Sequence, residues 1–365
     1  MTTFEIIFLI GISLYFIELI VFTVGASVKF TKSKEGDLPS ITVIVAARNE
    51  EDNIRDCLIS LDNLIYPEDK IEIIIVDDHS TDKTGEIIKG FISDKNKFKV
   101  ITPQESISSL RGKTNALANA IKIAKGEVIL TTDADCTVSP MWAKTLASYY
   151  KEDVGFVGGY TTQEDKTLFQ GMQAIDFIYL LTVAAGAINL KKPLSCIGNN
   201  MSYRKSAYDE VGGYEKLKFS VTEDFRLLMA INDLKKYKII YPLDADGLVT
   251  SKACPDVKSL YWQKKRWGVG GAESDFIGYM VMFWGFLTHV CVLLTPFFFS
   301  ESALYLCLLK FCIDYFFVAP VFKKLGLKLR ISHFITFELY FLIYVVLLPF
   351  IVLPNRTVKW KGREY

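Results

Sequence analysis

The chain has 365 residues, a formal net charge of +1 at neutral pH and 50% apolar residues, with a mean hydropathy of +0.25. Near-neutrality argues against a nucleic-acid partner held by a general basic field, and the apolar surplus argues against an entirely soluble chain. The length allows one large domain with additions, or two modest domains.

Residues 4–28, FEIIFLIGISLYFIELIVFTVGASV, are long enough to cross a bilayer as a helix. Lys29, Lys32 and Lys34 follow this stretch, whereas a cleaved signal peptide carries its positive charge before a shorter one. Residues 1–29 therefore read as an N-terminal transmembrane anchor with its C-terminal end in the cytoplasm.

From 30 to 275 short β-branched runs alternate with amphipathic stretches. ITVIVAA (41–47), IEIIIV (71–76), KFKVI (98–102) and EVILTT (127–132) are expected as strands buried on both faces. EDNIRDCLISL (51–61) and KTNALANAIKIAK (113–125) are expected as helices. Strand, helix, strand in succession predicts an α/β domain with a parallel sheet. FQGMQAIDFIYLLTVAAGAINL (169–190) is apolar enough to imitate a span, but Gln173 and Asp176 favour a buried helix or one lying along the membrane.

The last apolar region, 276–354, divides into expected spans at 277–299, 303–322 and 333–354, before a basic tail at 355–365. The loop KKLGLKLR (323–330) agrees with a cytoplasmic central domain. Three further crossings would place the basic tail outside, against the same tendency, so the crossing count stays open. Seven cysteines without C-x-x-C pairs and three scattered histidines predict free thiols and no zinc centre.

In open parallel sheets the ligand crevice lies beyond the C-terminal strand ends. Those ends read Arg48-Asn49-Glu50, Asp77-Asp78 and Asp133-Ala134-Asp135. Paired like charges there cost free energy unless a cation or a set of donors offsets them. Carboxylates without nearby histidine or cysteine suit Mg²⁺ or Mn²⁺, and Lys113 at a helix start suits an anion. A nucleotide diphosphate with a divalent ion unites these pieces. Structural readings stand beside the functional ones. Asp77 or Asp78 can cap the next helix, and Ser220-x-x-Glu223 is a capping-box pattern. Gln263, Arg266 and Trp267 share one helical face at 256–275, which with Lys264 and Lys265 also suits a helix lying among lipid headgroups.

VIVAARNEEDNI, IIIVDDHSTDKT, RGKTNALANAI, TTDADC, SVTEDFRLL and QKKRW, in that order over residues 40–268, resemble the motifs of family 2 inverting glycosyltransferases. The resemblance implies a GT-A domain, the Rossmann-like fold of nucleotide-diphospho-sugar transferases, between N- and C-terminal transmembrane helices. It implies that Ala47, Arg48, Asn49 and Glu50 line the nucleotide site, that Asp78 contacts the uridine and that Lys113 neutralises the diphosphate. Asp133 and Asp135 would form the D-x-D, with Asp135 the direct ligand of Mg²⁺ or Mn²⁺, and Asp224 would be the general base. Gln263, Arg266 and Trp267 would form the Q-x-x-R-W motif beside acceptor and diphosphate, with Asn199 and Asn200 near the sugar. Many members continue that motif with an arginine-rich run where this chain has GVGG.

The expectation is a multi-pass protein of the plasma membrane with a cytoplasmic catalytic domain. It would move a hexose-type sugar from a UDP-sugar to a lipid or lipid-linked acceptor, because such a site would sit against the bilayer. The alternatives are a processive polysaccharide synthase and, less favoured, a catalytically silent membrane scaffold.

Overall fold

In chain order the elements begin with α1 (Thr3–Ala26), β1 (Ile41–Ala47), α2 (Ile54–Asp62), β2 (Ile71–Asp77), α3 (Thr84–Ile92) and β3 (Phe98–Ile101). There follow α4 (Gly112–Ile123), β4 (Val128–Asp133), β5 (Cys136–Val138), α5 (Trp142–Ser148), β6 (Val154–Gly158) and β7 (Thr161–Gln163). Next come α6 (Leu168–Asn189), β8 (Met201–Arg204), α7 (Lys205–Glu210), α8 (Glu223–Asp233), β9 (Lys238–Ile240) and β10 (Val249–Ser251). The helices α9 (Val257–Gly271), α10 (Phe276–Leu294), α11 (Glu301–Lys324) and α12 (Ile331–Val352) follow, and then the short antiparallel strands β11 (Lys359–Trp360) and β12 (Arg363–Glu364). This computed structural model describes residues 1–218, 220–360 and 363–364, with the backbone alone at 359, 360, 363 and 364; Lys361, Gly362 and Tyr365 of the expected basic tail lie outside the described residues.

Two units make up the chain. The sheet unit comprises 28–162 and 191–252, and the helical body comprises 1–27, 163–190 and 253–365. The sequence suggested one unbroken domain from 30 to 275; the sheet unit found is interrupted, because α6 and α9 belong with the long helices.

The sheet unit carries the four expected strands with ends that differ by a residue or so. Its seven-stranded sheet has the order β3-β2-β1-β4-β8-β6-β9. The first four are parallel, as continuous β-branched runs buried on both faces require, and β8 then runs antiparallel between β4 and β6. Val43, Val45, Ile73, Ile75 and Leu130 pack on one face with Leu58 and Leu61 of α2 and with Trp142. Register places Ala47 opposite Asp77 and Ala46 opposite Asp133. The polar ends of β1, β2 and β4 therefore stand side by side on one sheet edge. A second, three-stranded sheet has the order β5-β10-β7.

Among the described residues of the helical body, five helices are long and apolar enough to cross a membrane: α1, α6, α10, α11 and α12. The four expected spans are among them. On the outer helices large apolar side chains such as Ile10, Phe16, Ile17, Phe316, Leu339 and Phe350 are exposed, a surface that suits lipid and marks a membrane protein. α6 differs, since 89% of its apolar window is buried inside the body. That burial explains Gln173 and Asp176, which face protein partners. α1 crosses α6 at Gly25 and Gly186, where a Cβ on either glycine would run into the other helix's backbone. Asn189 closes the crossing by donating to the Gly25 carbonyl at 3.0 Å.

A polar cluster lies within the body. Lys310 Nζ sits 2.8 Å from Asp314 Oδ2 and 2.5 Å from Glu338 Oε2, all three buried. Tyr15 donates to Asp314 Oδ1 at 2.6 Å, and its hydroxyl lies 2.5 Å from that of Tyr179. The cluster thus ties α1, α6, α11 and α12 together. His289 sits edge-on to Tyr15 and Phe341, and His333 presses on Gly171, so both histidines serve helix contacts.

Candidate active site

Two groups of side chains form at the strand edge of the sheet unit. The first joins the ends of β1 and β2. Asp78 donates its backbone N–H to the Ala47 carbonyl at 2.8 Å, and Arg48 donates to the Asp78 carbonyl at 2.7 Å, with its Nη1 3.9 Å from Asp78 Oδ2. Asn49 takes a left-handed φ of 54° and accepts from the Thr81 N–H at 2.8 Å. Glu50 is buried, its carboxylate accepts from Asn53, and its backbone N–H donates to Thr84 Oγ1 at 2.7 Å. Ala47, Arg48, Asn49, Glu50 and Asp78 are thus brought together as one braced ledge. Asp77 caps no helix: its Oδ1 accepts from the Ser80 N–H, a turn contact, while Asp82 organises the entry to α3 through Thr84. His79, with φ 57°, is a turn residue as expected.

The second group surrounds Lys113. Gly112 takes φ +58°, a left-handed conformation that favours glycine, and the chain then enters α4 with Lys113 in its first turn. Lys113 Nζ lies 2.6 Å from Asp133 Oδ1, at the end of β4, and 3.4 Å from Glu223 Oε1, at the start of α8. Burial pulls the ammonium down, but the Asp133, Glu223 and Asp224 carboxylates outweigh that and hold it well above the ordinary lysine range. It therefore stays charged at any physiological pH.

Gly198 is the floor between Lys113 and Asp224. Its carbonyl accepts from Thr131 Oγ1 at 2.9 Å, and a Cβ there would lie 3.3 Å from Asp224 Oδ2 and 3.5 Å from Lys113 Nζ. Asp224 Oδ1 accepts from the Phe225 N–H at 2.8 Å. Gly198→Ala is conformationally permissible yet crowds both groups. We expect it to lower kcat about tenfold through small displacements, with the thermal unfolding midpoint unchanged; side-by-side kinetics and melting curves check this.

The capping-box pattern of Ser220-x-x-Glu223 does not form a capping box. α8 begins at Glu223 itself, so the residue stands at the first helical position instead of the third, and Ser220 Oγ accepts from the Thr222 N–H. Glu223 instead joins the site through Lys113. Asn199 and Asn200 are also corrected. Asn200 is fully buried and binds the Trp142 indole and the Tyr160 and Gly247 carbonyls, while Asn199 accepts from Thr161. Both brace the fold. Gly198, missed in the sequence, was signalled only by the glycine beside them.

Asp133 and Asp135 flank the end of β4, both partly exposed. Burial first, then the Asp135 and Asp133 charges, push the Cys57 and Cys136 thiols far above their ordinary values, so neither supplies a thiolate. Oxygen donors alone remain. Among the described residues no group of three or more histidine, cysteine, aspartate or glutamate side chains converges to cage a metal. Two carboxylates with open positions fit a hard divalent ion that completes its shell with water and phosphate.

Gln263, Arg266 and Trp267 lie on α9 in the helical body. Lys264 and Lys265, which an interfacial reading of this helix would turn to headgroups, are buried: Lys264 pairs with Asp176, and Lys265 Nζ lies 5.4 Å from the Trp262 ring centre. Partners inside the protein replace the lipid contact. The cysteines are free, as the sequence implied.

The chain matches the family described as Glycosyl transferase family 2 over residues 42–212 and Glycosyl transferase family group 2 over residues 128–353. It is 30% identical over 257 residues to a beta-monoglucosyldiacylglycerol synthase of Nostoc sp., covering 67% of this chain and 51% of that protein. It is 31% identical over 256 residues to a poly-beta-1,6-N-acetyl-D-glucosamine synthase of Staphylococcus aureus, covering 67% and 58%. The chain thus spans between about half and three-fifths of the length of these curated relatives. A mannosyltransferase from Pyrobaculum calidifontis, solved with GDP-Man and Mn²⁺, shares the fold at a TM-score of 0.63 and 17% identity, over 95% of this chain and 99% of that one.

Proposed function

The chain belongs to the family 2 glycosyltransferases, and we propose that it moves a sugar from a UDP-sugar to a hydroxyl of a membrane-associated lipid, inverting the anomeric centre. The observation that carries this reading is the convergence on one strand edge of Lys113, Asp133, Glu223 and Asp224, with Asp224 held across Gly198. The D-x-D of Asp133 and Asp135, the Q-x-x-R-W of Gln263, Arg266 and Trp267, and the Asp78 ledge take the roles that the family resemblance implies. The exposed apolar helices support residence in a membrane, and the Nostoc relative is a synthase of a glucosyl diacylglycerol.

In the reaction, Asp224 accepts the proton of the acceptor hydroxyl as that oxygen attacks the anomeric carbon. The nucleotide diphosphate departs on the opposite face. Lys113, already held by two carboxylates, offers its charge to the leaving phosphates. Asp135, with Asp133, would hold Mg²⁺ or Mn²⁺, which when bound supplies charge to stabilise the departing diphosphate. Asp78 and the backbone braced by Arg48 and Asn49 would hold the nucleotide base, and Ala47 leaves room for it.

A second reading, processive polymer synthesis, is favoured by the Staphylococcus aureus relative. One experiment separates them. Membranes carrying the protein receive Mn²⁺ and a panel of radiolabelled UDP-sugars, with GDP-mannose included because the Pyrobaculum structure holds it. The expected result is label in the organic extract from one UDP-sugar, abolished by EDTA. Label in high-mass polymer identifies a synthase, and transfer from GDP-mannose alone overturns the uridine assignment. No transfer from any donor leaves the silent scaffold.

A further inference from the structure

The helix that bears Gln263, Arg266 and Trp267 is held by residues outside that motif. Gln173, Asp176 and Phe177 lie at spacings of three and four on α6 and so share one face of it. Gln173 brackets the backbone of Cys254: its Oε1 accepts from the Cys254 N–H at 2.9 Å, and its Nε2 donates to the Cys254 carbonyl at 3.2 Å. Asp176, fully buried, pairs with Lys264, itself 4% exposed. Phe177 meets the Trp267 ring edge-on with centroids 5.2 Å apart, and Lys264 Nζ lies 4.0 Å from the centre of that ring. α12 adds a further limit, since a Cβ on Gly268 would stand 2.8 Å from Val352 and 2.9 Å from Leu348. The glycine after the motif thus gives α12 room to approach, where an arginine would collide.

A buried ion pair is weak evidence for stability but a strong constraint on register. Sliding α9 by one residue turns it by about 100° and would leave Lys264 and Asp176 buried and apart. We propose that Asp176 and Lys264 are positioning residues, whose ion pair fixes the rotation of α9 and with it the directions in which Gln263 and Arg266 leave the helix. This rests on the reading of Gln263 and Arg266 as acceptor and diphosphate contacts. The first x of Q-x-x-R-W here reaches back to α6, and the motif is aimed from within.

The test uses the full chain in lipid nanodiscs, as wild type, Asp176→Asn, Lys264→Met and the double variant. Two readouts run in parallel. The first is kcat and donor KM for sugar transfer. The second is the fluorine spectrum of protein labelled with 5-fluorotryptophan, the Trp267 signal being assigned with Trp267→Phe. Each variant is expected to lose about 10- to 100-fold in kcat with donor KM within about twofold, and to shift the Trp267 signal. The double variant buries no unpaired charge, so its unfolding midpoint is expected near that of wild type, which separates misplacement from unfolding. A double variant with wild-type kcat, or an Asp176→Asn protein, which keeps Lys264 over the ring, with an unmoved Trp267 signal, overturns the proposal. Wild type that transfers no sugar defeats the transferase reading instead, and the fluorine spectrum of Asp176→Asn still decides whether the ion pair orients α9.

Discussion

Asp224→Asn is expected to lower kcat for sugar transfer by about 10²–10⁴-fold, the range associated with loss of a general base, while donor KM and the unfolding midpoint stay near wild type. The substitution keeps shape and keeps an oxygen to accept from the Phe225 N–H, so α8 should start as before. What it removes is the basic oxygen that the proposed reaction uses to take the acceptor's proton. The neighbouring carboxylate supplies the control. Glu223 is engaged with Lys113, so Glu223→Gln should weaken the setting of that lysine and cost less in kcat than Asp224→Asn. Steady-state kinetics on both variants decide the matter: a larger loss in Glu223→Gln would move the base to Glu223.

Lys310→Met is expected to cost about 3–5 kcal/mol of stability, the largest structural effect of any single change considered. Lys310 is the cation between Asp314 and Glu338, and removing it leaves two carboxylates buried side by side. Met conserves most of the volume, so the loss is electrostatic in origin. Thermal unfolding in detergent checks this, and adding Asp314→Asn and Glu338→Gln to Lys310→Met should restore most of the midpoint, since no buried charge then lacks a partner. An unchanged midpoint in Lys310→Met would mean that the cluster contributes nothing to holding α11 and α12 in the body.

The strands β1 to β4 were legible because a strand covered on both faces must be apolar at every position, which leaves an unbroken β-branched run. Their polar ends were legible for the same reason, as abrupt changes at Arg48, Asp77 and Asp133. The antiparallel insertion of β8 between β4 and β6 was not, because MSYR mixes polar and apolar residues and its pairing is set by partners 43 to 76 residues away. Glu223 was hidden by a local pattern that fits a capping box, while its actual partner, Lys113, lies on a different helix. Lys264 was misread for a related cause. Beside a membrane a lysine in an apolar helix is most simply sent to the headgroups, and only Asp176, 88 residues earlier, reveals that it turns inward. Local sequence shows that a charge is present, whereas the fold decides what neutralises it.

The crossing of α1 and α6 at Gly25 and Gly186 bears on how the protein is made. Asn189, which seals it, is synthesised 164 residues after the glycine whose carbonyl it binds, and Asp314 follows Tyr15 by 299. At 5–20 residues per second, α1 waits roughly ten to thirty seconds for its neighbour and up to about a minute for the acid that takes its tyrosine hydroxyl. Through that interval the first helix stands in the bilayer with a polar side chain and a bare glycine notch facing lipid. The sheet unit, whose chain is complete at residue 252, emerges before α11 and α12 exist. Nascent chains stalled before and after residue 189 should therefore differ in how readily α1 is captured by other membrane helices, and the notch would serve as a docking place reserved, during translation, for a helix still to come.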